Sequence, residues 1–188
     1  MFNAYLELGF DHILDLNGYD HILFLVALCA AFAYSDWKQI LILVTAFTIG
    51  HSITLALSAL NILTIDADLI ELLIPVTILI TAVLNLVIKK ERTHRWRINY
   101  FLPLFFGFIH GMGFSNYFKA LLGKEAEIVL PLLAFNLGVE IGQICIVAII
   151  LLLNFFVVGK GKVKQRTWNI VVSSIAAILA LYMIIGKL

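Results

Sequence analysis

The stretch GYDHILFL at residues 18–25 decides the interpretation of this chain, because it places an acid and an imidazole at the start of a long apolar run. Hydrocarbon does not solvate charge, so ionisable side chains in a spanning segment usually face a bundle interior or a water-filled cavity. Later apolar runs each carry one isolated ionisable residue, namely His51, Glu71, His110 and Glu140. The pattern predicts a polar site inside a membrane protein.

The composition also indicates a membrane protein. Hydrophobic residues make up 62% of the 188 residues and charged residues 13%, and the mean hydropathy is +1.03, values beyond the averages of soluble proteins. A spanning helix needs about 20 mostly apolar residues, and such runs cover 18–36, 38–60, 68–89, 98–119, 128–158 and 167–186. We predict an all-α polytopic membrane helix bundle of about six transmembrane helices, a single domain over 1–188 with the lipid bilayer as its partner. The formal net charge of +1 gives no reason to expect nucleic acid as a partner.

The charges between these runs alternate along the chain. Asp66 and Asp68 make the second connection acidic, and the N-terminal segment is acidic as well. Cytoplasmic loops of membrane proteins carry an excess of Lys and Arg. We therefore predict that the first, third and fifth connections are cytoplasmic and that both termini lie outside. The basic residues of these connections are Lys38, Lys89, Lys90, Arg92, Arg95, Arg97, Lys160, Lys162, Lys164 and Arg166.

Residues 1–17 mix large apolar side chains with acids, so they are too polar to span a bilayer and too apolar for a free tail. This pattern predicts a short interfacial or re-entrant helix before the first span. The segment contains Asp11-His12, the same acid-imidazole order as Asp20-His21. If Gly18 breaks the helix, the segment folds back and brings His12 toward His21.

The isolated ionisable residues are of the types that bind borderline divalent metal ions. Neutral imidazoles and carboxylates bind zinc, nickel and cobalt, whereas the sulfur ligands that copper(I) prefers are nearly missing from these runs. A rise of about 1.5 Å per residue puts the deepest candidates near the middle of the bilayer. We predict an intramembrane site for Ni, Co or Zn, open to the outside, with the ligands His12, Asp20, His21, His51, His110 and Glu140.

Polar neighbours of these ligands are expected to support the site rather than bind the ion: Ser52, Glu71, Asn136 and Gln143. More ordinary interpretations remain open. A single intramembrane histidine is as often a hydrogen-bond partner between helices as a ligand, and Glu71 lies near enough to the outer surface for simple exposure. Asp20 either contacts the ion or orients His21 from behind.

Small residues four apart indicate close helix packing in two of the runs. Gly107 and Gly111 form one such pair next to His110, and Gly138 and Gly142 form another on either side of Glu140. His110 is therefore expected to point into protein rather than lipid. The fifth run is longer than a bilayer requires, so we expect it to end or bend near Asn154.

Four sequence blocks together are similar to a known family. They are GYDHILF at 18–24, FTIGHSITL at 47–55, FIHGMGF at 108–114 and FNLGVEIGQ at 135–143. In these blocks the chain resembles the HupE/UreJ family of hydrogenase and urease accessory membrane proteins, in the branch with His-Ser, His-Gly and Asn-x-x-x-Glu blocks in later helices.

The resemblance implies a multi-pass protein of the bacterial inner membrane, usually regarded as a nickel or cobalt permease. It also implies that His12, Asp20 and His21 form the N-terminal signature of the family. The chain departs from that pattern because Ile13, not proline, follows His12, and because two more residues separate His12 from Gly18. A homo-oligomer and partners in metalloenzyme maturation are left open.

The residues leave three functional classes open. The first is a metal-ion permease. The second is an intramembrane zinc-dependent hydrolase with the same ligands and with Glu140 or Asp20 as general base, although no H-E-x-x-H or G-x-S-x-G motif supports it. The third is a haem-bearing or assembly subunit with His51 and His110 as axial ligands.

Overall fold

A computed structural model of the protein describes residues 2–63, 66–88, 100–123 and 128–187. These residues fold into seven α-helices, which confirms the all-α prediction for the described part of the chain. A 3-10 turn at Tyr34–Asp36 leads into the third helix, and a π-helical turn at Phe155–Lys160 extends the sixth. The helices are α1 (Phe2–Leu14), α2 (Asp20–Ala30), α3 (Trp37–Ala59), α4 (Ala67–Val87), α5 (Phe101–Leu122), α6 (Val129–Asn154) and α7 (Gln165–Ile185).

Four helical segments are long and apolar enough to cross a membrane by length and composition: α3 with its leading turn, α4, α6 with its trailing turn, and α7. The predicted count of about six is not confirmed. Helix α5 has 22 residues but contains His110 and several small and polar residues, which lower its hydropathy. The first predicted span, 18–36, contains a helix of only 11 residues.

The helix in the first predicted span, α2, is shorter than the span because polar contacts turn the chain after Ala30. The backbone N–H of Ala33 donates to the Asp36 carboxylate over 3.0 Å, and that of Tyr34 donates to the Asn154 side chain over 2.9 Å. A hydropathy pattern counts Ala31–Ala33 as part of a span, since it does not register these side-chain acceptors.

In the fifth run, the α-helix ends at Asn154 as predicted.

Helix α1 packs along α6 within the bundle, and residues 2–14 form this helix in the segment 1–17 for which the sequence predicts an interfacial or re-entrant helix. Glycines allow the close approach of the two backbones. A Cβ added at Gly9 would lie 2.0 Å from the carbonyl oxygen of Phe135, and one added at Gly138 would lie 2.0 Å from that of Leu6. The predicted glycine seam of α6 is therefore used, and α1 is the helix that occupies it.

Helices α1 and α2 follow one another as two pieces of a broken helix. Tyr5 contacts Phe118 near the end of α5, and His12 contacts Phe114 one turn earlier in α5, so α1 runs antiparallel to α5 toward the bundle centre. With 13 and 11 residues, the two pieces total about 36 Å of helix at about 1.5 Å per residue. That length exceeds the hydrocarbon core of about 30 Å.

Among the described helices, α3 and α5 form the most extensive contact, and their glycines set the distance between them. A Cβ added at Gly107 would lie 2.1 Å from the carbonyl oxygen of Phe47, and one added at Gly50 would lie 2.1 Å from that of Leu104. This confirms the predicted seam on α5 and adds Gly50 from α3. The pairing fixes His51 of α3 beside the α5 helix that carries His110.

We call the end of the bundle where α3, α5 and α7 begin the basic end. There, the first turn of α7 forms hydrogen bonds with residues at the ends of α2, α4 and α6. Gln165 donates to the carbonyl oxygen of Phe32 over 2.7 Å and accepts from Asn154 over 3.0 Å. Arg166 donates to the carbonyl oxygen of Asn85 over 2.9 Å and to that of Leu86 over 2.6 Å. These bonds satisfy carbonyl groups at and beyond the helix C-termini, which have no partner within their own helix. The predicted basic linker with Lys89, Lys90, Arg92, Arg95 and Arg97 lies outside the described residues.

Candidate metal centre

Four imidazoles, from four different helices, converge near the middle of the bundle: His12 of α1, His21 of α2, His51 of α3 and His110 of α5. His21 is central, since its ring centroid lies 4.7 Å from that of His12, 5.8 Å from that of His51 and 5.1 Å from that of His110. The helix break between α1 and α2 makes this possible, because it places His12 near the end of one piece and His21 at the start of the next.

The ligand atoms of these residues form two triplets that share His21. One consists of His12, His21 and His51, and the other of Asp20, His21 and His110, and within each triplet the ligand atoms lie within 4.8 Å of one another. Separations of this size suit atoms that surround one metal ion after a small adjustment, given metal–nitrogen bonds of about 2.0–2.1 Å. His12, whose flanking sequence departs from the family pattern, is one of the clustered residues.

Five imidazole nitrogens of this cluster are buried and have no hydrogen-bond partner within the described part of the chain: His12 Nε2, His21 Nε2, both nitrogens of His51, and His110 Nδ1. A buried polar atom without a partner costs about 1–3 kcal/mol, and such atoms are rare in folded proteins. Their concentration at one point indicates a site that a ligand completes. An imidazole lone pair is suited to a metal ion.

Asp20 holds the imidazole of His21 in a defined orientation. Its Oδ1 atom accepts from His21 Nδ1 over 2.9 Å and from the His21 backbone N–H over 2.7 Å. In a neutral imidazole, donation from Nδ1 leaves the lone pair on Nε2, which is the His21 nitrogen without a partner. A carboxylate behind a histidine in this way is a common support of metal ligands.

A cavity of about 420 Å³ gives access to the cluster from the end opposite the basic end. The break between α1 and α2 lines it with Asp15, Asn17, Gly18 and Tyr19, and the imidazoles of His12, His21 and His110 line it further in. Irregular backbone at membrane depth is tolerated where it lines a cavity of this kind. At the mouth, Lys187 pairs with Glu71, and both side chains are about half exposed.

On the side facing the basic end, aromatic rings close the cluster. Phe24, Phe47 and Phe106 each lie one helical turn from a clustered histidine and are at most 3% exposed. The rings of Phe24 and Phe47 stack at 4.7 Å, and Phe106 contacts Phe24 at 6.1 Å. The polar cavity thus meets an apolar layer immediately beyond the imidazoles.

Glu140 belongs to neither triplet. Its carboxylate accepts from the Thr45 hydroxyl over 2.6 Å and also from the Thr48 hydroxyl. Thr48 in turn lies 2.8 Å from the Oε1 atom of Gln143. The structure therefore groups Glu140 and Gln143 with the hydroxyls of α3, apart from the two ligand triplets that contain histidines.

The other predicted supporting residues have contacts of their own. The Ser52 hydroxyl donates to the Thr48 carbonyl over 2.7 Å, and Glu71 lies at the mouth of the cavity. The Asn136 amide donates to the Leu132 carbonyl over 2.8 Å. Its side chain also approaches His51, although neither nitrogen of His51 has a partner with hydrogen-bond geometry.

The sequence prediction missed Thr77 of α4, whose Oγ1 atom lies 3.1 Å from His110 Nε2. A signal was present in the sequence, because Thr77 and Thr81 are hydroxyl residues on the helical stripe that contains Ile70 and Ile74. All four are buried. For this helix the prediction named only Glu71 as a site residue, because the search concentrated on ionisable side chains within the apolar runs.

A helical bundle with several apolar helices of spanning length and a buried cluster of unpartnered imidazoles defines a class, that of helical membrane proteins with a candidate metal centre. A family model described as "HupE / UreJ protein" matches residues 1–186. The chain therefore belongs to the HupE/UreJ family, which confirms the resemblance seen in the four sequence blocks. No curated protein and no solved structure matches the chain significantly.

Proposed function

We propose that the protein is a permease for a divalent transition-metal ion, Ni, Co or Zn, which it binds at the imidazole cluster. The observation that carries this proposal is the concentration of five buried, unpartnered imidazole nitrogens around His21. Membership of the HupE/UreJ family supports it, because the family is usually regarded as one of metal permeases. The metal ion is the cargo rather than a resident cofactor.

The ion would be held by His21 Nε2, His12 Nε2 and one nitrogen of His51, with Asp20 and His110 on the side of the cavity. Three nitrogen ligands leave a coordination position open for water or for exchange. Three nitrogen ligands bind a metal ion less tightly than a closed cage of thiolates. A permease needs this moderate affinity because it has to release the ion. Asp15 and Asp20 give the cavity carboxylates that attract a cation, whereas Glu71 is already paired with Lys187 at the mouth.

For the membrane arrangement we propose six passes, in which α1 and α2 together make the first and α5 makes the fourth. The basic end then faces the cytoplasm by the positive-inside rule, and the cavity opens outward in the inner membrane of a bacterium, with both termini outside. In this conformation Phe24, Phe47 and Phe106 close the inner side. Passage of the ion requires these rings to separate.

Uptake of metal into proteoliposomes tests the proposal. We expect the wild-type protein to admit radioactive or dye-detected Ni, Co or Zn, and His51→Ala to abolish uptake because it removes a ligand that is 0% exposed. The matched control is His94→Ala, which removes the one histidine of the basic linker. Full uptake by His51→Ala, or equal loss in both variants, would contradict the proposal.

One observation favours a second candidate, an intramembrane zinc hydrolase. The His12, His21 and His51 triplet has the ligand number of catalytic zinc sites, and the cavity of about 420 Å³ is large enough for a small organic substrate. Asp20 would then be the carboxylate near a metal-bound water. Metal that resists dialysis, together with an absence of ion flux, would favour the hydrolase over the permease.

A further inference from the structure

Thr77 of α4 makes two side-chain contacts that together define its hydrogen-bond role. Its Oγ1 atom lies 2.7 Å from the carbonyl oxygen of Ile74 and 3.1 Å from His110 Nε2. The residue is 2% exposed, so within the bundle its hydroxyl has these two groups as its partners. Helix α4 contributes no residue to either ligand triplet.

The direction of these bonds follows from the chemistry of the partners. The Ile74 carbonyl oxygen can only accept and lies closer to Oγ1 than His110 Nε2 does, 2.7 Å against 3.1 Å, so we assign the single hydroxyl proton of Thr77 to Ile74. The Oγ1 atom is then an acceptor toward His110, and His110 donates from Nε2. A neutral imidazole that carries its proton on Nε2 has its lone pair on Nδ1.

The nitrogen left free by this arrangement is also the one that has no hydrogen-bond partner in the described part of the chain. His110 Nδ1 is buried and has no partner among the described residues, and His110 groups with Asp20 and His21 as a ligand triplet. With the Thr77 proton on the Ile74 carbonyl, the other tautomer of His110 would leave two lone-pair atoms, Nε2 and Oγ1, facing each other at 3.1 Å.

We propose that Thr77 is a positioning residue that holds His110 in the Nε2–H tautomer, so that His110 presents Nδ1 to the metal ion. This inference rests on the proposed metal-binding function and adds α4 to the site. His21 and His110 then offer different ring nitrogens, Nε2 and Nδ1, each set by a partner behind the ring. Thr77 thus fixes which nitrogen of His110 carries the proton, as Asp20 does for His21.

The tautomer can be measured directly in metal-free protein. In ¹⁵N NMR spectra of histidine-labelled protein in nanodiscs, protonated and bare ring nitrogens of a neutral imidazole have well-separated shifts. We expect the His110 signal, assigned by its loss in His110→Gln, to show a protonated Nε2 and a bare Nδ1. A protonated Nδ1 in the wild-type protein would overturn the inference, and this readout needs no variant at Thr77.

Two substitutions at Thr77 separate the hydroxyl from the packing. Thr77→Val keeps the volume and removes the acceptor, so we expect the tautomer signal to change and the affinity for Ni or Zn to fall by about 10–100-fold, as for other residues that support metal ligands. Thr77→Ser keeps the hydroxyl and loses only a methyl group, so it should restore both the tautomer and the affinity. Equal losses in the Val and Ser variants would overturn the proposal.

The chain offers a matched control one helical turn further along α4. The Thr81 hydroxyl is also buried and donates to the Thr77 carbonyl over 2.9 Å, without contact to an imidazole. Thr81→Val should leave the tautomer and the affinity unchanged, and an equal effect in that variant would overturn the inference. If the wild-type protein shows the expected tautomer but binds no Ni, Co or Zn, then the permease proposal fails while the role of Thr77 toward His110 stands.

Discussion

At the scale of single residues, the distinctive feature of the site is that its imidazoles are supported from behind by different helices. Asp20 orients His21 from within α2, and Thr77 contacts His110 from α4. In this arrangement His21 Nε2 and His110 Nδ1 have no hydrogen-bond partner among the described residues. A metal ion bound there, as proposed, would meet side chains that are already ordered, and this would lower the entropic cost of binding.

Removal of the Asp20 charge should weaken metal binding without removing a histidine. In Asp20→Asn the amide oxygen can still accept from His21, but the negative charge that raises the basicity of the ring is lost. We expect the affinity for Ni or Zn to fall by about 10–100-fold, as measured by equilibrium dialysis or calorimetry of the purified protein.

Glu140→Gln is the matched control for that experiment, since it also replaces one carboxylate by an amide. Glu140 lies with Thr45 and Thr48 and is in neither ligand triplet, so its replacement should leave the affinity close to that of the wild type. A loss as large as that of Asp20→Asn would return Glu140 to the ligand set that the sequence suggested.

At the scale of helices, the glycine seam between α3 and α5 fixes the distance between His51 and His110. Gly107→Ala places a Cβ 2.1 Å from the Phe47 carbonyl oxygen, a backbone atom, so the two helices must separate. We expect a loss of about 1–3 kcal/mol in stability, measured by thermal or denaturant unfolding in detergent, together with weaker metal binding.

Gly113→Ala is the control for this substitution on the same helix. Its added Cβ would lie 2.9 Å from Ile74 Cδ1, the far end of a flexible side chain, which can move aside at low cost. A stability equal to that of Gly107→Ala would show that the seam does not set the packing of α3 against α5.

The sequence was sufficient for the histidines and the glycine seams, because an imidazole in an apolar run must face a polar interior and glycines four apart let helices pack closely. It was insufficient for α1 and α2. Hydropathy depends on composition within a window, so it could not register that Gly9 fits against α6 or that Asn154 and Asp36 end the first span early. Thr77 was missed for a related reason, since its role depends on which helix packs beside α5.

At the scale of the whole molecule, the bundle is polar toward one end and closed by aromatic rings toward the other. The predicted alternation of loop charges agrees with this arrangement for the described residues, because Lys38 and Arg166 lie at the end away from the cavity. The orientation in the membrane is a proposal that labelling can test.

Cysteine accessibility in intact cells checks the orientation, in a background where Cys29 and Cys145 are replaced by alanine. Asn17→Cys lies in the exposed break that lines the cavity, so a membrane-impermeant maleimide added outside should label it. Lys162→Cys, in the exposed connection at the basic end, should be labelled only after the membrane is permeabilised. The opposite pattern would reverse the proposed topology.

In the proposed permease, the position of His21 in both triplets would limit how many ions the protein carries at once. Its Nδ1 atom is hydrogen-bonded to Asp20, which leaves Nε2 as its free coordinating atom, and His21 is a member of both ligand triplets. An ion bound through His21 Nε2 would therefore have to leave before the next one could take its place. Cargo would therefore move through the molecule in single file, with one ion per protein chain at saturation.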